Sequence, residues 1–450
     1  FKQKTAYEIP LRLVGSEMCI RDRAWAFYDW ANSVYPLVIS TAIFPIFYGE
    51  LFVESDYINF LGINYKSSAL IQHITSLVFL FLAILIPILS GIADFLGNKK
   101  NFMKFFCYLG SLSCIGLYFF ELENIYLGLS FYFLALFSFW ASLVFYNSYL
   151  PDIAFPKQQD RISALGYSYG YVGSVLLLVF NLAMIMLPEF FGLSNENNEG
   201  KIQAMRISFL LVGLWWASFS QYTFYYLPQN LNNVDKKDAF KKSVIFSGFL
   251  ELKEVWQILK KDISVKKFLI AFFTFSCALQ TIILIATYFG DEEILWKNGD
   301  EKTIGLIVSM LIIQLIAILG AMLTATVSNK IGNIKTLIFL NLIWFLLCLG
   351  AYFVQYPIEF YIIAGFVGMV MGGTQALSRS TYSKLIPKTE NTCSYFSFYQ
   401  MSMILSVVLG TFMSGIVDQL TGSLRNSIIV FAVIFILGAI LLRDIKMKSI

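Results

Sequence analysis

Three polar side chains stand at the head of the first apolar run: Asp29, Asn32 and Ser33 in "YDWANSVYP", residues 28–36. With Pro36 they fall at i, i+3, i+4 and i+7, one face of a helix. Tyr28 precedes them. A carboxylate facing lipid costs a few kcal/mol, so this face must meet protein or a water-filled cleft. There it can carry a proton, or pair with a cation in one conformation and release it in another. The cation is at hand in "GGTQALSRSTYSKLIP" (372–387), where Gln375, Ser378 and Arg379 close a later apolar run. Tyr146, Asn147 and Asp152 close another, Tyr167 and Tyr171 open the next, and Asp94 ends a third in "DFLGNKK" (94–100). Arg379 can pair with Asp29 or with Asp152. The plainer alternative is capping, with Asp29 starting a helix and Asn147 and Asp152 ending one.

Other chemistries are poorly supplied. His73 is the sole histidine, which rules out a His-rich metal site and argues against a His-based triad. Cysteines 19, 107, 114, 277, 348 and 393 form no Cys-x-x-Cys pair. Cys107 and Cys114 are seven apart on one helix and read as packing. No Gly-x-x-x-x-Gly-Lys-Ser/Thr cradle is present, which argues against an ATP-driven pump. No enzyme activity, cofactor or metal is expected. Midway along the apolar runs lie Ser40, Thr41, Trp140, Gln280 and Thr281. Hydroxyls, an amide and an aromatic ring can hold the polar ends of a small zwitterion and its side chain. Each hydroxyl can equally bond its own helix backbone.

The elements that must position these groups follow from composition. The 450 residues are 58% hydrophobic and 14% charged, far below the roughly 25% charged of a soluble domain. Runs of about 20 apolar residues, enough to cross a bilayer, occur near 31–52, 69–92, 102–120, 127–147, 163–187, 207–227, 268–290, 303–327, 336–354, 358–377, 396–417 and 426–442. The fold class is an all-α membrane protein of twelve transmembrane helices. With the N-terminus cytoplasmic, the inner segments after residue 23 hold 22 Lys and Arg and the outer segments 6. That asymmetry places both termini in the cytoplasm. It also accounts for the net charge of +4 without nucleic acid. With short loops and no targeting segment, the expected location is a bacterial inner membrane.

The chain divides six and six. Residues 1–23, "FKQKTAYEIPLRLVGSEMCIRDR", contain no span and read as a non-native or disordered segment, with the fold starting near Ala24. An N-terminal bundle covers 24–227 and a C-terminal bundle 268–450. A cytoplasmic linker, 228–267, joins them through an amphipathic helix, "GFLELKEVWQILKK" (248–261), with Phe249, Leu252, Val255, Trp256 and Leu259 on one face. The halves echo each other: "DFLGNKK" (94–100) recurs as "NKIGNIK" (329–335), and "AFPKQQDRIS" (154–163) as "LIPKTENTCS" (385–394). Two parallel repeats with a cavity between them is a transporter plan.

The chain after Ala24 resembles the major facilitator superfamily, and within it the vacuole-effluxer-like (autophagy-related amino-acid effluxer) family. "YDWANS" (28–33), "FYNSYLPDIA" (145–154), "GYSYGYVGS" (166–174), "QTI" (280–282) and "GGTQALSRSTYSKLIP" (372–387) carry the resemblance in order. It implies a monomeric secondary or facilitative transporter working by alternating access on a small solute. An amino acid leaving the compartment is the first expectation, with export of another metabolite, lipid or drug as the alternative. A non-transporting receptor or a lipid scramblase is the competitor from another class. Protons are the expected co-substrate if transport is coupled, with Asp29 the candidate carrier. The Asp-Gly pair that the family often has in helix 7 is replaced here by Cys277 and Ala278, so any coupling role of that acid does not carry over. The motif residues crowd one end of the helices, which reads as a cytoplasmic gate with the solute site deeper in. The glycines at 166, 170 and 173 would let the gate helices approach closely.

Overall fold

A computed structural model describes residues 8–52, 57–194, 199–229 and 242–447. Twelve helices among the described residues are long and apolar enough to cross a membrane. The first span, Ile20–Glu50, is built from three pieces: α1 (Glu8–Asn32), a π-helical stretch (Tyr35–Ile43) and α2 (Phe44–Glu50). Then come α3 (Ser67–Phe95), α4 (Lys99–Gly116), α5 (Ile125–Asn147), the single turn α6 (Leu150–Ile153), α7 (Pro156–Met186) and α8 (Glu199–Tyr226). The linker contributes α9 (Lys242–Lys261). The second half runs α10 (Ile263–Glu293), α11 (Gly299–Ile331), α12 (Asn333–Phe353), α13 (Pro357–Leu385), α14 (Thr392–Thr421) and α15 (Leu424–Leu442).

Local chemistry sets the ends. Asp262 starts α10 by accepting from the backbone N–H groups of Ser264 and Val265 at 3.1 and 3.2 Å, satisfying two donors that a helix start leaves open. Pro156 and Pro357 sit at the first positions of α7 and α13, where a missing N–H costs nothing. Gly97 and Gly332 turn the chain into α4 and α12 with φ of +59° and +91°, the conformations that favour glycine. They occupy corresponding places in the two echoing segments. Spans 99–119 and 333–353 each have 21 residues, and spans 125–153 and 357–385 each have 29. The repeat read from sequence is therefore a repeat of structure.

Each half packs on itself: α1 on α7 and α8 and α4 on α5 and α8; α10 on α14 and α15 and α11 on α13. The halves meet where α3 packs on α14 and α7 on α11 and α13. Several helices start earlier than the apolar runs, because polar side chains at their ends are buried between the halves. Gln159 and Asp160, in the first turns of α7, are 2% and 1% exposed. The first helix runs back to Glu8, upstream of the Ala24 start expected from sequence. Asp29 thus lies inside a helix, and the reading of it as a cap is corrected.

Two further differences arise. "VDKKDAF" of the linker lies outside the described residues. The linker helix does form, but its buried face is Gly248, Val255 and Leu259. Phe249 and Trp256 are 53% and 46% exposed. Helical spacing gave the stripe, and a close approach moved it: Gly248 lies against the backbone of Gly91 and Ile92 in α3. Trp256 instead stacks on Phe398 of α14 at 5.4 Å. Between the first two spans stands a small hairpin, β1 (Tyr57–Phe60) and β2 (Ile63–Lys66). No hairpin was expected there. At its tip the Leu61 N–H donates to the Tyr126 hydroxyl at 3.1 Å.

Candidate functional site

The bundle has a linker end, where α3, α5, α8, α11 and α13 finish, and a far end. Arg379 lies on the last turns of α13 at the linker end and is 2% exposed. Its guanidinium reaches across to the first half. Nη1 and Nη2 donate to Asp29 Oδ2 at 3.1 and 3.2 Å, and Nη1 to Asn147 Oδ1 at 3.3 Å. Nε donates to Ser163 Oγ at 2.9 Å and Nη2 to the Ser163 carbonyl at 2.8 Å. The Tyr146 hydroxyl donates to the same Asp29 oxygen at 2.8 Å. The guanidinium carbon also stands 4.2 Å from the Tyr167 ring centre and 4.8 Å from that of Trp25. Only arginine offers a planar fork to a carboxylate, an amide and a carbonyl while stacking on rings. The buried charge is therefore paired, hydrogen-bonded and sandwiched.

Of the two acids open to Arg379 on sequence, the structure selects Asp29. Asp152 pairs with Lys99, whose ammonium also donates to Thr392 Oγ1 at 3.0 Å. Deeper toward the centre, the Tyr171 hydroxyl donates to Gln375 Oε1 at 2.7 Å, another bond between the halves. Asp94 accepts from the N–H groups of Cys393 and Ser394 at 3.1 and 2.6 Å. A carboxylate of the first half thus caps α14 of the second, where the helix dipole favours it.

Other expected residues stand apart. Tyr28 turns into the first half, its ring 5.0 Å from that of Tyr146. Asn32 Oδ1 accepts only from neighbouring Ser33, at 3.4 Å. Ser378 is buried, without a hydrogen bond at its hydroxyl. Among the deeper candidates, Ser40 and Gln280 are half-buried, and Thr41 donates to the Pro36 carbonyl at 2.9 Å. Trp140 packs edge-on against Phe79. Thr281 is fully buried and donates to its own helix at the Cys277 carbonyl, 2.7 Å away.

Sequence reasoning missed a second crossing. Asp160, opening α7, accepts from Ser328 Oγ at 2.9 Å, Asn333 Nδ2 at 2.8 Å and Lys384 Nζ at 2.7 Å, all from the second half. The signal was present, since Asp160, Asn333 and Lys384 lie in segments already singled out. Nothing in one sequence pairs them across some 170 residues or more. Trp25 and Ser163 were likewise unmarked. Trp25 holds Tyr146 by stacking at 4.5 Å and by donating to its carbonyl at 2.8 Å.

The glycines explain how α7 comes so near. A Cβ on Gly166 would lie 2.5 Å from Asp29 Oδ2 and 3.0 Å from Arg379 Nη2. One on Gly173 would lie 2.8 Å from the Trp30 carbonyl. Gly166→Ala gains helix propensity worth ~1 kcal/mol, but the added methyl meets groups held by several bonds. Overpacking of this kind costs about 1–3 kcal/mol. A melt of the purified variant should show a lower Tm; an equal or higher one would mean that the pair gives way freely.

Comparison with known proteins follows this geometry. A family model described as "Vacuole effluxer Atg22 like" matches residues 21–449. An uncharacterized MFS-type transporter of Bacillus subtilis, YxiO, is 28% identical over 426 residues, 94% of each chain. Autophagy-related protein 22 of Saccharomyces cerevisiae is 24% identical over 85% of this chain and 79% of its own. Among solved structures, the proton:xylose symporter XylE superposes with a TM-score of 0.72 over 97% of both chains at 11% identity. The transporter FucP in its outward conformation gives 0.69 over 96% of this chain and 99% of its own at 14% identity. At such identities these likenesses speak to the fold alone.

Proposed function

The chain belongs to the Atg22-like vacuole effluxer family and is a multi-pass transporter of the major facilitator superfamily, and from that premise we propose that it exports a small zwitterionic solute, foremost an amino acid, by alternating access. The linker end is the cytoplasmic gate, closed in this structure, and the far end faces outside. Both termini are cytoplasmic, and a plasma membrane is the location. The observation that carries the reading is Arg379: a buried cation of the second half, bound to Asp29, Asn147 and Ser163 of the first. A crossing of this kind holds one state and must be released in the other. The clustering of bonds between halves at one end supports a closed gate there, and the half-buried Ser40 and Gln280 beyond it suit a solute's charged termini. Asp29 is the candidate proton carrier.

Counterflow in proteoliposomes tests this. Vesicles loaded with unlabelled amino acids should accumulate a labelled neutral or basic amino acid, with Asp29→Asn run beside the native protein, with and without a pH gradient. Counterflow kept without pH-driven accumulation in the variant assigns coupling to Asp29. Folded protein that exchanges no amino acid would sink the substrate assignment and direct the search to other metabolites, lipids or drugs.

A further inference from the structure

The linker helix α9 carries a stripe in which rings alternate with ammonium groups. Phe249, Lys253, Trp256 and Lys260 fall at i, i+4, i+7 and i+11, one line along the helix. All four are exposed, and the line runs beside the buried face of Gly248, Val255 and Leu259. Lys260 Nζ stands 5.0 Å from the Trp256 ring centre. Leu250 and Ile258, 46% and 42% exposed, add apolar surface on the outer side. Glu251 and Glu254 lie on the opposite flank of the buried face, and Glu251 accepts from Asn391 Nδ2 at 2.7 Å.

Contacts fix the depth of this stripe. Asp262 alone separates α9 from α10, which begins a span at Ile263. Gly248 lies on the backbone of Gly91 and Ile92, one turn before α3 ends at Phe95. Trp256 stacks on Phe398, which lies inside α14, roughly 9 Å from the helix start at Thr392. The linker helix is therefore level with the outermost turns of three spans, where headgroups meet acyl chains. Water would leave Phe249, Leu250, Trp256 and Ile258 as one unmatched apolar surface. At the membrane boundary, aromatic rings settle at headgroup level and lysines reach outward to the phosphates.

We propose that this stripe binds an anionic phospholipid of the leaflet at the linker end, with Lys253 and Lys260 on the headgroup and Phe249 and Trp256 among the upper acyl carbons. Two cations beside two rings complement a head of net negative charge, whereas a zwitterionic head brings its own cation. The bound lipid holds a helix that packs on α3 of the first half. Through Trp256 and Glu251 the same helix reaches α14 of the second half and its N-cap, Asn391. The site depends neither on the solute carried nor on the side of the membrane that the linker end faces.

Trp256 reports on it. The full-length protein would be placed in nanodiscs of phosphatidylcholine with about a fifth phosphatidylglycerol. Acyl chains would be dibrominated either on the phosphatidylglycerol or on an equal amount of the phosphatidylcholine. The Trp256 signal is the difference between native protein and Trp256→Phe. We expect bromine on phosphatidylglycerol to quench that signal about twofold or more beyond bromine on phosphatidylcholine. In Lys253→Gln/Lys260→Gln the two lipids should quench alike, and Lys253→Arg/Lys260→Arg should keep the preference. Both lysines are exposed, so neither change disturbs packing. Equal quenching by the two lipids in the native protein overturns the proposal, as does a preference that survives loss of both lysines. A Trp256 signal quenched by aqueous acrylamide and by neither lipid would mean a face turned to water, and overturns it too.

Discussion

Arg379→Leu should abolish transport and lower the melting temperature, because it leaves the Asp29 carboxylate 5% exposed with only the Tyr146 hydroxyl to hold it. Breaking a buried pair by removing one partner costs about 3–5 kcal/mol. Charged to the closed state, that penalty shifts the balance between conformations by roughly two to four orders of magnitude. Counterflow should fall below about a tenth of native. The control is the double variant Asp29→Leu/Arg379→Leu. Replacing a buried pair by apolar groups is often neutral or stabilising, so its melting temperature should return toward native while counterflow stays lost. Arg379→Lys should fall between, since an ammonium cannot serve Asp29, Asn147 and Ser163 in one plane. If Arg379→Leu melts and transports as the native protein does, the crossing holds no state.

A covalent lock gives the second large effect. Ser148, just past the end of α5, places its hydroxyl 3.2 Å from the Cys393 thiol at the start of α14. Both side chains are fully buried, and the contact joins the two halves. Ser148→Cys would put two sulfurs within easy reach of disulfide geometry after a small rotation. Oxidation of that variant should stop counterflow by more than about tenfold, and a reductant should restore it. A protease site inserted in the 228–267 linker, cut and followed by non-reducing electrophoresis, would report the bond itself. Full cross-linking with counterflow intact would show that this end need not part, and the gate reading would fall with it.

How far the sequence reached can be judged residue by residue. The twelve spans were legible because an uninterrupted apolar run has one stable fate in a bilayer. Asp29 and Arg379 were legible as partners because each is an ion that lipid will not accept, and few other ions were near. Asp160 was not, because its partners Ser328, Asn333 and Lys384 come from another half and only folding brings them together. The buried face of α9 was misread for a related reason. Amphipathic spacing ranks residues by hydrophobicity, whereas Gly248 earns its place by having no side chain at all. The hairpin of Tyr57–Lys66 is too short to leave a pattern of its own.

The π-helical stretch in the first span has a consequence for how this helix is compared and engineered. A wide turn lets a helix absorb an extra residue, so the portions before and after it face as in a continuous α-helix one residue shorter, and only their numbering is out of step, by one residue or about 100° of α-helix. In this chain Asp29 precedes Tyr35–Ile43, and Phe44 and Phe47 follow it. Deleting one residue from 35–43 is therefore the change this helix tolerates best, because an α-helical turn in place of the wide one leaves Phe44 and Phe47 oriented relative to Asp29 as before. The same deletion in the α-helical part, between Asp29 and Tyr35, would instead turn the aromatic cluster by about 100°. A relative that lacks one residue here keeps the same two faces, with every side chain beyond Ile43 carrying a number one lower.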